Sequence, residues 1–287
     1  MRPRALLALL VGVWAVSWPV IKIGVGVVPP IWFGCLRYAI ATAVLAAIAG
    51  VRGGLHLPSR ADRRLIMVSG ALQMAAYSAL TGLALTKLPA GRASVLGFST
   101  PLWVVPLAVW RGQERLTRSA LLGVGVGLGG IVAIALPTMI RGGAHQAAPY
   151  LMLAGAALAW AISIVFVRAH RFGADPLALA PWQTLVASGL LFVVAIASEG
   201  SPPPVGMRAV ATLAYVGPVA TAFAYWAMVE IGRRIPASTL SVALLATPSL
   251  GLTISALVQG ERIDGPLLAG IGLVAAGIRL ATIQSGR

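Results

Sequence analysis

The chain has 287 residues, of which 59% are hydrophobic and only 10% charged, with a net charge of +15 and a mean hydropathy of +0.90. A soluble domain carries about 25% charged residues, so this composition cannot wet a globular surface and instead indicates a membrane protein. The single cysteine, Cys35, excludes an intrachain disulfide, and the arginines fall between apolar stretches, which points to membrane orientation rather than nucleic-acid binding.

The N-terminus looks like a signal, with Arg2 and Arg4 ahead of Ala5 to Val16. No small-residue cleavage site follows it, so this stretch is read as the first span. About 20 mostly apolar residues are needed to cross a bilayer as a helix. On that measure the first half holds spans over Ala5–Val25, Ile31–Val51, Leu65–Leu85, Arg92–Trp110 and Ser119–Ile140. The segment Arg141 to Pro149 is a short polar linker. The second half holds spans over Tyr150–Ala169, Leu177–Ala197, Ala209–Val229, Ala237–Leu257 and Gly265–Ile283. No apolar run alternates with polar residues at a period of two, which argues against a β-barrel.

The two halves repeat one another. At one constant offset Pro89, Ser94, Thr100 and Pro101 match Pro236, Ser241, Thr247 and Pro248. At the same offset Glu114, Arg115, Gly123 and Gly130 match Glu261, Arg262, Gly270 and Gly277. Trp14, Ser17, Lys22 and Pro30 match Trp160, Ser163, Arg168 and Pro176 at an offset one residue shorter. This is an internal duplication. It divides the chain into a first five-helix repeat (1–140), a linker (141–149) and a second five-helix repeat (150–287).

Five is an odd number, so the second copy enters the membrane from the opposite side. The expected fold is therefore all-α, with ten transmembrane helices in two inverted five-helix repeats around a central cavity. Basic residues favour the side of the N-terminus. The opposite side holds only Lys87, Arg92, Arg141, Arg208 and Arg262, which places both termini in the cytoplasm; a multi-pass protein of the cell inner membrane is expected.

Pro101 and Pro248 lie mid-span at matching positions. Each removes a backbone N–H and displaces the carbonyl four residues earlier, at Gly97 and Leu244. Matched interruptions in inverted halves point to a transport site, whereas the plain alternative is a packing kink. Lys22 and Arg37 are the deepest basic residues and should face an interior or aqueous path, unless Lys22 snorkels to the interface. Trp14 and Trp160 bring indole donors to matching depths and, with Tyr38, Tyr77, Phe98, Trp103 and Tyr225, could line a cavity; core packing is the alternative. Ser17, Ser94, Ser163 and Ser241 add hydroxyls at matching depths.

The seven carboxylates, among them Glu114, Glu199, Glu261 and Asp264, all fall in loops or at span ends, which disfavours coupling through a buried acid. Thr117 and Asp264 read as N-caps of the glycine-rich spans. Gly123, Gly125, Gly127, Gly129 and Gly130 lie inside an apolar span and read as a helix-packing face, not a nucleotide loop. His56, His145 and His170 are at loops or span ends, and no metal or nucleophile–base arrangement is legible.

These residues resemble the EamA family of the drug/metabolite transporter superfamily. The resemblance rests on Trp14 to Ser17, Lys22, Pro29-Pro30, Arg37-Tyr38, Pro101, the run Gly112 to Leu116, Gly123 and Gly129-Gly130. It recurs in Trp160, Pro248 and Gly260-Glu261-Arg262, with one departure, Gln183 in place of Arg37. The resemblance implies a central cavity that opens alternately to each side, and export of amino acids or related metabolites, with a tilt towards aromatic ones. It implies a secondary transporter without cofactor or metal. Its partners would be a small-molecule substrate and the lipid bilayer, with no nucleic acid, and one chain would suffice. A multidrug permease of the same fold is one alternative; an intramembrane enzyme or lipid-handling protein is the other class. The expected cavity residues are Trp14, Ser17, Lys22, Tyr38, Tyr77, Ser94, Phe98, Pro101, Trp103, Trp160, Ser163, Ser241 and Pro248.

Overall fold

A computed structural model describes residues 3–51, 54–115, 117–142, 144–170, 172–235, 240, 243–244 and 246–282. Apolar runs bounded by Gly, Pro and charged turns form helices there, and no strand occurs among the described residues. In chain order the helices are α1 (Pro3–Val25), α2 (Pro30–Val51), α3 (Arg60–Lys87), α4 (Ala90–Trp110) and α5 (Arg118–Gly142). They continue with α6 (Ala148–His170), α7 (Pro176–Glu199), α8 (Met207–Gly232), α9 (Ala246–Gln259) and α10 (Gly265–Thr282). Eight of the described helices, α1 to α8, are long and apolar enough to cross a membrane, and Gly265–Ala281 is a shorter apolar one. Large apolar side chains such as Leu121, Leu122, Val193, Leu257 and Leu268 point outward, as a lipid-facing surface requires.

Three helices are interrupted. Phe98 and Ser99 break α4 into Ala90–Gly97 and Thr100–Trp110. Pro101 therefore stands in the first turn of the second piece, where its missing N–H costs nothing, rather than inside a continuous helix. The Gly97 carbonyl accepts the Thr100 hydroxyl at 3.3 Å, so the break satisfies itself locally. The sequence reading has no counterpart for the other two. In α3 the stretch Ser69–Ala76 is π-helical, and in α8 the stretch Pro218–Phe223 is π-helical behind Gly217. These are the third helices of the two halves. Pro218 leaves a mark in the sequence; α3 has no proline, and Gly70 is instead pressed against α7, where an added Cβ would lie 2.8 Å from the Gln183 carbonyl oxygen. The start of α3 also comes earlier than the expected Leu65, because Ser59 caps it by accepting from the Asp62 N–H at 3.1 Å.

Packing runs between the halves more than within them. The helix α1 packs on α8 and α9, and α6 packs on α3 and α4; α2 lies on α7, and α5 on α10. The α5–α10 pair meets backbone to backbone. An added Cβ would lie 2.4 Å from the Ala281 nitrogen at Gly123, 2.7 Å from the Gly270 oxygen at Gly130, and 2.4 Å from the Gly127 nitrogen at Gly277. Gly125 and Gly129 point elsewhere and meet nothing within 4 Å. Close approach of this kind replaces the hydrophobic drive that lipid cannot supply.

Carboxylates tie helix ends across the halves. Glu199, at the end of α7, accepts from the Ile31 and Trp32 N–H groups at 3.0 and 2.9 Å in the first turn of α2. Glu261, after α9, accepts from Gly91 and Arg92 at 2.8 and 3.1 Å in the first turn of α4, and from the Ser255 hydroxyl at 2.6 Å. Asp62, on α3, accepts from the Gly173 N–H at 2.8 Å. Thr117 and Asp264 cap α5 and α10, accepting from Ala120 and Leu267 at 3.1 and 3.0 Å, as their placement in the sequence suggests.

The α5–α10 contact predicts an asymmetric glycine response. Gly277→Val should destabilise the protein by about 1–3 kcal/mol or more through overpacking, while Gly125→Ala should leave it unchanged or slightly more stable. Thermal melting of the two variants in detergent micelles measures this; equal midpoints would contradict the packing described.

Candidate functional site

The break in α4 gathers one group of aromatic rings. Trp14 and Trp18 of α1 lie 6.4 and 6.1 Å from the Phe98 ring, measured between centroids. Gly97 makes room for them: a Cβ there would sit 2.4 Å from the tip of the Trp18 indole and 2.9 Å from the Tyr77 hydroxyl. Tyr77, in α3 just past its π-helical stretch, meets Trp160 of α6 edge to face, 4.8 Å between centroids. The two repeat-related tryptophans, Trp14 and Trp160, thus reach the same region through Phe98, Gly97 and Tyr77.

A polar group lies beside it. Arg37 donates through Nε to the Thr221 hydroxyl at 2.7 Å, and its guanidinium stands 5.2 Å from the centre of the Tyr38 ring. Thr221 belongs to the π-helical stretch of α8 and donates onward to the Val216 carbonyl at 2.8 Å. On the other side, Ser163 of α6 donates to Gln73 in the π-helical stretch of α3 at 3.4 Å. Each π-helical stretch therefore presents one polar side chain to the opposite half. Tyr225 donates to Gln183 at 2.7 Å next to this layer. Arg37 has no carboxylate partner among the described residues. A guanidinium about two turns into an apolar helix, held only by a hydroxyl and a ring face, keeps most of its five donors available.

The expected cavity residues do not all converge here. Trp14, Phe98, Tyr38, Tyr77, Trp160 and Ser163 belong to these two groups. Ser17 is buried and donates to the Trp14 carbonyl at 2.7 Å. Ser94 is fully buried at the α4–α9 crossing, where it donates to the Gly91 carbonyl at 2.7 Å and stands 3.5 Å from the Pro248 carbonyl. Pro101 starts the second piece of α4, and Trp103 packs with Ala161 and Val165 of α6, its buried indole N–H without a partner. Lys22 lies in a separate cavity and donates to the Leu85 carbonyl at 2.5 Å. Ser241 lies outside the described residues. The expected cavity residues did not include Arg37, Gln73, Gln183, Thr221 or Tyr225. Their signal was polarity inside apolar spans, and what the sequence could not give was the pair of π-helical stretches that turns Gln73 and Thr221 across the molecule.

The cavity that holds Lys22 has a volume of about 950 Å³ and lies at the ends of α1, α3, α5 and α9 and the starts of α4, α6, α8 and α10. A smaller cavity of about 450 Å³ lies among Arg111, Gln113, Glu114 and Arg168, at the other end of the helices. There Glu114 pairs with Arg168 at 3.2 Å and Gln113 donates to the Val165 carbonyl at 3.0 Å. The larger cavity has the related glutamine contact, Gln259 to the Pro19 carbonyl at 3.0 Å, yet the residues matching Glu114 and Arg168, Glu261 and Lys22, bind backbone groups instead of each other. The two ends of the molecule thus differ, with the cavity of about 950 Å³ at the end away from the N-terminus.

The chain is similar to proteins already known. The model of the EamA-like transporter family matches residues 3–136 and again residues 147–283. The chain is similar to a probable terminal-alkyne amino-acid exporter of Streptantibioticus cattleyicolor, 28% identical over 96% of this chain and 91% of the relative. It is similar to the aromatic amino acid exporter YddG of Ancylobacter novellus, 28% identical over 91% of each chain. It is also similar to a probable amino-acid metabolite efflux pump of Escherichia coli, 25% identical over 96% of this chain and 94% of the relative. A crystal structure superposes with a TM-score of 0.67 over 99% of both chains at 23% identity, a likeness of fold.

The close fit at Gly97 gives a direct check. Gly97→Ala should cost about 1–3 kcal/mol and alter the intrinsic tryptophan emission, because rigid rings must move to admit the methyl group. Gly12→Ala in α1, where a Cβ meets nothing within 4 Å, should do neither. Denaturation of both variants followed by fluorescence reads the difference.

Proposed function

Because the chain belongs to the EamA-like transporter family, a family of transporters and not of enzymes, we propose that it exports small amphipathic metabolites, foremost amino acids with aromatic or other hydrophobic side chains, by alternating access. The observation that carries the substrate class is Arg37. A guanidinium that lacks a carboxylate partner among the described residues, bonded to Thr221 and set over the Tyr38 ring, is suited to a carboxylate joined to an apolar body. The carboxylate takes the fork of donors, and the rings take the side chain. The names of the relatives support the same class.

In this reading residues 1–140 and 150–287 are inverted five-helix repeats, joined by 141–149, in the cell inner membrane with both termini cytoplasmic. The cross-half packing supports it, since α1 on α8 and α9 mirrors α6 on α3 and α4. The glycine-lined α5–α10 pair is the fixed scaffold. The broken helices α3, α4 and α8 are the parts that re-pack. The Glu114–Arg168 contact closes the cytoplasmic end while the other end stands open.

Proteoliposomes preloaded with labelled phenylalanine, tryptophan, leucine and alanine test the function by exchange against external substrate. Wild-type protein should exchange at least one of them well above empty vesicles. Arg37→Gln should lower the rate about tenfold or more, the scale of a lost charge-assisted hydrogen bond, and Trp160→Ala several-fold. No exchange of any substrate, or wild-type rates in both variants, would defeat the proposal.

Labelling single cysteines in a Cys35→Ala background tests the topology. A cysteine at Gln113 should react only from the cytoplasmic face and one at Arg262 only from the other; reaction of both from one face refutes the inversion.

A further inference from the structure

The basic residues on the face away from the N-terminus are few, and they converge. Of Lys87, Arg92, Arg141, Arg208 and Arg262, four line the single cavity of about 950 Å³, together with Lys22; the side chain of Arg141 is outside the described ones. The sequence otherwise keeps basic charge to the other face, so a cluster here runs against the charge bias that orients the chain.

The two acids lining the cavity do not neutralise it. Both oxygens of Glu261 are held by the N–H groups of Gly91 and Arg92, with the Ser255 hydroxyl as a third donor. Asp264 pairs with Arg92 at 2.6 Å and accepts from the Leu267 N–H. Lys87, Arg208 and Arg262 make no ion pair among the described residues, and Lys22 rests on a backbone carbonyl. A concave space with apolar walls and a surplus of cations concentrates anions.

We propose that this vestibule is an oxyanion site, separate from the aromatic layer around Arg37, and that it takes the carboxylate of a small organic acid or amino acid at the outer mouth of the transport path. The assignment of the solute rests on the transporter reading; the excess of cations does not. Lys87, Arg208 and Arg262, all exposed, supply the attraction at the rim, and Lys22, partly buried, is a further cation of the cavity. The same chemistry would hold the headgroup of an anionic lipid, and the test separates the two.

The probes are 3-phenylpropionate and its uncharged amide, with binding followed by calorimetry on wild-type protein in phosphatidylcholine nanodiscs. The triple variant Lys87→Gln, Arg208→Gln, Arg262→Gln alters only exposed side chains outside the helix-end clamps. Wild type should prefer the acid, more strongly at low salt, and the triple variant should weaken the acid about tenfold while leaving the amide unchanged. Equal binding of acid and amide, no binding of the acid, or wild-type affinity in the triple variant would overturn the site. Loss of acid binding when phosphatidylglycerol replaces part of the phosphatidylcholine would assign the vestibule to lipid headgroups and overturn the solute assignment. Amino-acid exchange that persists in the triple variant with unchanged dependence on substrate, beside unchanged acid binding, rejects the vestibule and leaves the exporter reading standing. Exchange absent from wild type, beside intact acid selectivity, does the reverse.

Discussion

A helix end packed against protein leaves backbone N–H groups that need partners, and much of this structure follows from how its few carboxylates answer that need. All seven are engaged. Glu199 and Glu261 hold the first turns of α2 and α4, Asp62 holds Gly173, Asp175 and Asp264 cap their own helices, and Glu114 and Glu230 pair with Arg168 and Arg234. Four of these contacts, those of Asp62, Glu114, Glu199 and Glu261, bridge the two halves, so side chains that finish the helices also fasten the repeats. With 22 basic residues against seven acids, most cations are left without an acidic partner, and where they lie becomes informative.

Two such places stand out. Arg37 lies within α2 against a π-helical stretch, where a hydroxyl and an aromatic face are its partners among the described residues. The vestibule gathers the outer-face cations into one concavity. Packing is uneven along the molecule. The α5–α10 pair is locked by contacts between backbones, which leave no room for a methyl group. The α3, α4 and α8 helices carry irregular turns where backbone bonds are already rearranged.

The value of the internal repeat depended on the residue. Thr117 and Asp264 cap matching helices, and Gln113 and Gln259 reach matching carbonyls from positions one residue out of register. Ser94, by contrast, repeats faithfully yet lies fully buried in a helix crossing with its hydroxyl turned onto its own helix. Repetition preserves fold and function alike, so a serine matched in both halves carries no mark of which it serves. The deep arginine carried the stronger mark, because burying a guanidinium in an apolar span is costly without a use.

Composition, apolar run lengths and charge placement were enough for the sequence to determine a helical membrane protein, the positions of most spans, the capping of the glycine-rich helices and the family resemblance. These features depend on solvation and local backbone chemistry, which each short segment carries in itself. Only the tertiary structure decided which glycines touch, that α3 and α8 contain π-helical turns, that Pro101 begins a helix piece, and that Lys22 lines a cavity at the helix ends while Arg37 lies elsewhere, against Thr221 and Tyr38. Those outcomes depend on which atoms of distant segments compete for the same space and the same hydrogen bonds, and a linear pattern does not contain that competition.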